Sequence, residues 1–94
     1  LSKELQAIFV LDNRTVEIYR IDIEPGGIYV SGGHGEKTRE YISVLDGEVT
    51  IESQGAINIV TKKDVFRFES DQMHRYINNT KSLVSFMSFY VAYN

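Results

Sequence analysis

The chain has no cysteine, no tryptophan, one proline and only two histidines among its 94 residues. Without cysteine there are neither disulfides nor thiolate ligands, so a bound metal would depend on imidazole and carboxylate groups. Long apolar runs are missing too. Nothing approaches the about 20 residues that a membrane-spanning helix requires, and no basic segment followed by an apolar one opens the chain. A basic excess is also absent: ten Lys and Arg stand against thirteen Asp and Glu, for a formal charge of -3. The basic residues are scattered apart from Lys62-Lys63 and the nearby Lys37 and Arg39, which argues against direct contact with nucleic acid or an anionic membrane surface. These absences fit the cytosol, and a cytoplasmic protein without a membrane partner is expected. Residues 1–94 form one domain, since the length leaves no room for a second core.

Apolar residues come instead in short runs between turns. A strand is expected over Gln6 to Val10, ended by Asp12-Asn13. A second covers Thr15 to Glu24, where Tyr19, Ile21 and Ile23 alternate toward one face. Glu24-Pro25-Gly26-Gly27 stops it, because proline presets φ and glycine permits positive φ. Further strands are expected at Ile28 to Ser31, Arg39 to Leu45, Glu48 to Ser53, Ala56 to Thr61, Val65 to Glu69, His74 to Asn78 and Leu83 to Tyr93. Asp46-Gly47 and Gln54-Gly55 are tight-hairpin signals between them. Strand and turn repeating every about 8–12 residues, with no helical stripe anywhere, predict an all-β barrel or sandwich.

The two histidines have informative surroundings. One opens His34-x-Glu36-x-x-x-Glu40, with Gly47 further on; the other lies in His74-x-x-x-Asn78. Glu40 shares its strand parity with Ile42 and Val44, so if those face the core, Glu40 does too. A carboxylate aimed into an apolar interior costs several kcal/mol unless a cation or a strong hydrogen-bond network meets it. A metal ion is one answer, and an ion pair such as one with Arg75 is another. The histidines could equally be polar groups at a barrel mouth. Asn78-Asn79-Thr80 matches a glycosylation acceptor, but nothing secretory accompanies it.

These residues resemble the cupin family. Its first motif reads Gly-x5-His-x-His-x3–4-Glu-x6-Gly, matched here by His34, the Glu36 position, Glu40 and Gly47, with Gly27 one residue further upstream. Its second motif is matched by His74 and Asn78, while Lys63, Glu69 and Asp71 replace its Gly, Pro and Gly. The stretch His34-Gly35-Glu36-Lys37-Thr38-Arg39-Glu40-Tyr41 is similar to the C-terminal cupin of helix-turn-helix (XRE-type) transcriptional regulators. So are Glu17-Ile18-Tyr19-Arg20, Asp64-Val65-Phe66-Arg67-Phe68 and His74-Arg75-Tyr76.

The resemblance implies a small double-stranded β-helix, jelly-roll-like barrel that binds a small-molecule effector. It also implies a divalent metal (Zn, Fe, Mn or Ni) at His34, Glu40 and His74, with Glu36 a further candidate because it stands where the family has a second histidine. Tyr76, Phe68, Met87 and Ile42 are expected to line the ligand site. The apolar run Leu83 to Ala92 suits a strand covered by its own barrel on one side and a partner on the other, so a homodimer is expected. Because the chain begins at Leu1 rather than Met, we expect a fragment that would contact DNA only through a missing N-terminal domain. The alternative is a small metalloenzyme of dioxygenase or isomerase type, with Tyr76 or Glu36 as its acid/base.

Overall fold

A computed structural model describes residues 1–33 and 37–93 and contains two antiparallel β-sheets. Among the described residues there are nine strands: β1 (Ser2–Leu11), β2 (Arg14–Ile23), β3 (Ile28–Ser31), β4 (Thr38–Asp46), β5 (Glu48–Ser53), β6 (Ala56–Thr61), β7 (Val65–Glu69), β8 (His74–Ile77) and β9 (Val84–Tyr93). The five-stranded sheet runs β1-β2-β9-β4-β7, and the four-stranded sheet runs β3-β8-β5-β6. From β2 onward the chain crosses between the sheets at nearly every connection, the β5–β6 hairpin excepted. That crossing lets residues far apart in sequence meet between the layers. The all-β double-stranded β-helix expected from the sequence is the architecture observed.

Alternation drives the packing. Along β4, Thr38, Glu40, Ile42 and Val44 are buried while the intervening residues are more open. The core joins Ile21 and Ile23 of β2, Ile42 and Val44 of β4, Val49 and Ile51 of β5, and Val84 and Phe86 of β9. Turns fall where their chemistry asks for them. Gln54 and Gly55 have φ of 52° and 78°, the paired positive values of a primed two-residue hairpin. Gly47 has φ 84°, and a Cβ there would stand 3.0 Å from the Leu83 carbonyl oxygen, so this turn needs glycine twice over.

Asn78 closes one end of the sandwich. Its side chain is wholly buried and donates to the Ile23 carbonyl at 2.9 Å and the Ser82 carbonyl at 2.8 Å. Its Oδ1 accepts from the Thr80 amide at 2.9 Å and the Thr80 hydroxyl at 2.7 Å. Every polar atom of that amide has protein partners, so the acceptor triplet is a structural turn with no exposed nitrogen to modify.

Most strand boundaries fall within a residue of the sequence expectation, and the largest difference is at β1. β1 begins at Ser2 rather than Gln6, and all ten of its residues are exposed. Its register with β2 skips from Leu5↔Tyr19 to Ala7↔Ile18, leaving Gln6 as an extra residue. This bulge breaks the odd–even alternation by which the strand would have been read. Among the described residues, no helix is long and apolar enough to cross a membrane.

Candidate functional site

Glu40 stands in the middle of β4 with Tyr90 of β9 beside it on one side and Phe68 of β7 on the other. Strand parity drives its carboxylate between the sheets, where its residue is 3% exposed. Three donors meet it. Ser88 Oγ of β9 donates to Oε1 at 2.9 Å, and the Tyr76 hydroxyl, reaching across from β8, donates to the same oxygen. His74 Nε2, also from β8, lies 3.1 Å from Oε2. His74 and Tyr76 are both buried. Phe68 packs edge-on to the imidazole at 5.1 Å, and Tyr76 is stacked between Tyr29 at 5.5 Å and Phe86 at 5.6 Å.

The imidazole's contacts fix its protonation. Nδ1 lies 2.9 Å from the Gln72 carbonyl oxygen, an acceptor only, so Nδ1 carries hydrogen. Nε2 faces a carboxylate oxygen, which again calls for hydrogen or another cation between them. In the absence of such an ion, the ring is imidazolium. Burial alone would push His74 down, but the Glu40 hydrogen bond, the Gln72 carbonyl and the Glu40 charge together carry it above its ordinary value. Burial likewise pushes the Glu40 carboxyl up, and the His74, Tyr76 and Ser88 donors outweigh it and hold the group below the usual carboxylate range. Burial and the neighbouring Glu40 charge raise the Tyr76 phenol well above its normal value, so it remains a donor.

The same arrangement suits a divalent ion in place of the Nε2 proton. A metal-bound histidine usually anchors its other ring nitrogen on a carbonyl, as Nδ1 does on Gln72, and ligating carboxylates are themselves hydrogen-bonded, as Glu40 is by Tyr76 and Ser88. Donor atoms sharing one ion at about 2.0–2.2 Å sit roughly 3 Å apart, which is the Nε2–Oε2 spacing here, 3.1 Å. Two ligands do not make a transition-metal site, and among the described residues no group of three His, Cys, Asp or Glu could hold one. The third and fourth expected ligands, His34 and Glu36, lie outside the described residues. The structure thus brings together two of the four residues that the sequence singled out.

A cavity of about 140 Å³ opens above this cluster, with Glu40, Tyr76 and Ser88 in its wall together with Tyr19, Tyr29, Tyr90, Glu17 and Lys3. Of the four residues expected to line a ligand site, Tyr76 is in the wall of this cavity. Ile42 and Phe68 belong with it to the hydrophobic core and are not in that wall. Met87 pairs with Arg20 and Ser43, which places it on the outer face of the sheet, opposite in parity to Ser88. Lys3, Glu17, Tyr19 and Ser88 were not among the expected site residues. Ser88 is a hydroxyl between Phe86 and Tyr90, and its inward facing follows only from the pairing of β9 with β2 and β4. Lys3 carried no signal, because the bulge hides its facing.

Residues 19–90, about three-quarters of the chain, match the cupin domain family, and the chain belongs to it. Among solved structures, it is similar to the cupin domain of an XRE family transcriptional regulator from Enterobacter cloacae. That match has 25% identity and a TM-score of 0.78 over 84% of this chain and 82% of that one. It is also similar to an HTH_3 family transcriptional regulator from Vibrio cholerae, with 26% identity and a TM-score of 0.75. There the match covers 87% of this chain but 52% of that protein, so the chain spans about half of the Vibrio regulator's length. A predicted oxalate decarboxylase from Thermotoga maritima shares the fold at 17% identity and a TM-score of 0.67, over 95% and 92% of the two chains. No curated protein matches.

Proposed function

We propose that this chain is the small-molecule-sensing domain of a cytoplasmic transcriptional regulator. The observation that carries the reading is the cavity itself: an aromatic-walled pocket of about 140 Å³ set against a buried, fully engaged Glu40–His74–Tyr76–Ser88 cluster. A rigid polar floor under aromatic walls is how proteins orient a small ligand. The similarity to cupin domains of two regulators supports the regulatory context, and the acidic balance leaves DNA contact to another domain of the same polypeptide.

In this reading the domain works as a homodimer. Two adjacent rows on the outer face of the five-stranded sheet, Phe9–Val16–Val91 and Ala7–Ile18–Phe89–Tyr41, are free of charge across three and four strands. An uncharged face of that width favours a second copy as its cover. A divalent ion held by His34, Glu40 and His74, with Glu36 alongside, would add a Lewis-acidic anchor for the effector. The effector acts only if it prefers one dimer arrangement over the other, since equal affinity shifts nothing.

The test is the full-length gene product. Its operator binding should change on addition of the effector, and a gene without a helix-turn-helix segment ahead of this domain would end the reading. Elemental analysis of protein grown in metal-replete medium examines the ion separately, and His74→Ala should lose whatever is bound. The His74–Glu40 spacing also favours a second reading, a metalloenzyme, which a stoichiometric redox metal with turnover would select over sensing.

A further inference from the structure

The cavity already contains a cation supplied by the chain. Lys3 pairs with Ile21 across β1 and β2, which turns its side chain inward beside Tyr19. Its ammonium lies 4.4 Å from the Tyr19 ring centroid and 5.4 Å from that of Tyr29, and it donates to the Tyr29 hydroxyl at 3.0 Å. The Tyr19 hydroxyl is held by Glu17, and Tyr90 lies directly across the sheet from Glu17. Glu40 closes the wall below. Two tyrosine rings therefore flank one ammonium in a cavity whose wall also carries the carboxylates of Glu17 and Glu40, groups of the kind by which proteins recognise organic cations.

Among the described residues that line the cavity, the acids are Glu17 and Glu40 and the cation is Lys3, with the His74 imidazolium behind Glu40, so withdrawing Lys3 leaves one carboxylate, that of Glu17, without a counter-charge in this set. The tyrosines register the negative field. Tyr19 is pushed up to about 12 by its hydrogen bond to Glu17, by burial and by the Glu17 charge. Tyr90 is raised by burial and by the charges of Glu17 and Glu40. Lys3 comes from an exposed edge strand, and its hold is that of two surface cation–π contacts and one hydrogen bond, each weak. Even with Lys3 in place, about 140 Å³ remains, close to the ~150 Å³ that admits a benzene-sized molecule.

We propose that this cavity is an ammonium cage whose ligand is a small amine or quaternary ammonium compound, and that Lys3 is a built-in stand-in that the ligand displaces. The inference rests on the sensing reading and names its ligand class. Self-occupancy lowers apparent affinity by the fraction of time the cage is vacant, so Lys3 sets the concentration at which the ligand is detected.

Calorimetric titration of the chain with n-butylammonium, tetramethylammonium and butyrate tests this. Both ammonium compounds should bind and butyrate should not. Lys3→Met should tighten ammonium binding by about tenfold, and Glu17→Gln should weaken it by a similar factor. Both positions are at the surface end of the cavity, and unchanged urea midpoints will show that the variants fold. Butyrate binding that disappears in Lys3→Met would overturn the proposal by making Lys3 the recognition group for an acid, leaving the sensing reading intact. Ammonium affinity unaffected by Lys3→Met, or no ammonium binding to either protein, would also overturn it. The sensing reading falls only on the separate test of effector-dependent operator binding.

Discussion

Replacing Glu40 with leucine keeps the volume of the side chain and removes the acceptor for three buried donors. Tyr76 and Ser88 lose the partner of their hydroxyls, and His74 loses the carboxylate that holds its proton in an interior where its own exposure is 1%. Breaking a buried pair by deleting one member costs about 3–5 kcal/mol, a large part of the about 5–15 kcal/mol that holds a domain together. At roughly 4–8 °C per kcal/mol for a chain of this size, Glu40→Leu should lower the melting temperature by at least about 12 °C. The reverse deletion, His74→Leu, should cost a comparable amount. The double variant Glu40→Leu/His74→Leu removes both charges together and should cost no more than either single change, a coupling of about 3 kcal/mol. Urea unfolding followed by far-ultraviolet circular dichroism, in EDTA to remove any metal contribution, gives all three values from midpoints at constant slope. A single-variant cost below about 1 kcal/mol, or costs that simply add in the double variant, would refute the claim that the two groups are a charged, mutually dependent pair.

The same pair gives stability a defined pH window. Glu40 is held below its ordinary 4.5, so its contribution is complete above that value and disappears as pH falls through the folded-state value. His74 is raised above its ordinary 6.5, so its contribution is complete below that value and disappears as pH rises through the folded-state value. Urea midpoints should therefore plateau between about 4.5 and 6.5 and decline on both sides, with the double variant much flatter. Asn78→Ala removes a buried amide with four hydrogen bonds and should cost about 3 kcal/mol, read as a lowered midpoint with secondary structure retained. Phe89→Arg, within the uncharged rows of the outer face, should convert the proposed dimer to a monomer by light scattering while leaving the Tyr76–Glu40 side of the sheet intact, and a wild-type chain that is already monomeric would refute the dimer.

Much of the fold could be read from local chemistry. Gln54-Gly55 marked a hairpin because only certain side chains tolerate positive φ, and both positions have it, whereas Asp46-Gly47, expected to be another hairpin, instead carries the chain from β4 to β5 in the other sheet, with positive φ at Gly47. Glu40 was legible for a different reason: a charge in register with Ile42 and Val44 conflicts with its neighbours, and such conflicts mark sites. Its partners were only partly legible. Tyr76 and His74 share parity within β8, but which strand faces β4 across the layers depends on the crossing of the chain, which no local pattern encodes. Phe68 and Ile42 were expected at a ligand site because aromatic and branched residues line cavities as readily as they fill cores, and here they fill the core. Met87 illustrates a parity problem. β9 is apolar on both faces, so its inward side could be identified only through its pairing with β4 and β2.

Gln6 is surplus to the ladder between the first two strands. Joining Leu5 directly to Ala7 would leave Leu5↔Tyr19, Lys3↔Ile21 and Ala7↔Ile18 all in place, so loss of that codon is neutral for what faces inward. Loss of a codon between Thr15 and Asp22 is another matter, because it swings part of β2 over by one pleat and carries Tyr19 or Glu17 to the far side. Loss of a residue from this hairpin is therefore harmless at Gln6 and ruinous within the paired part of β2.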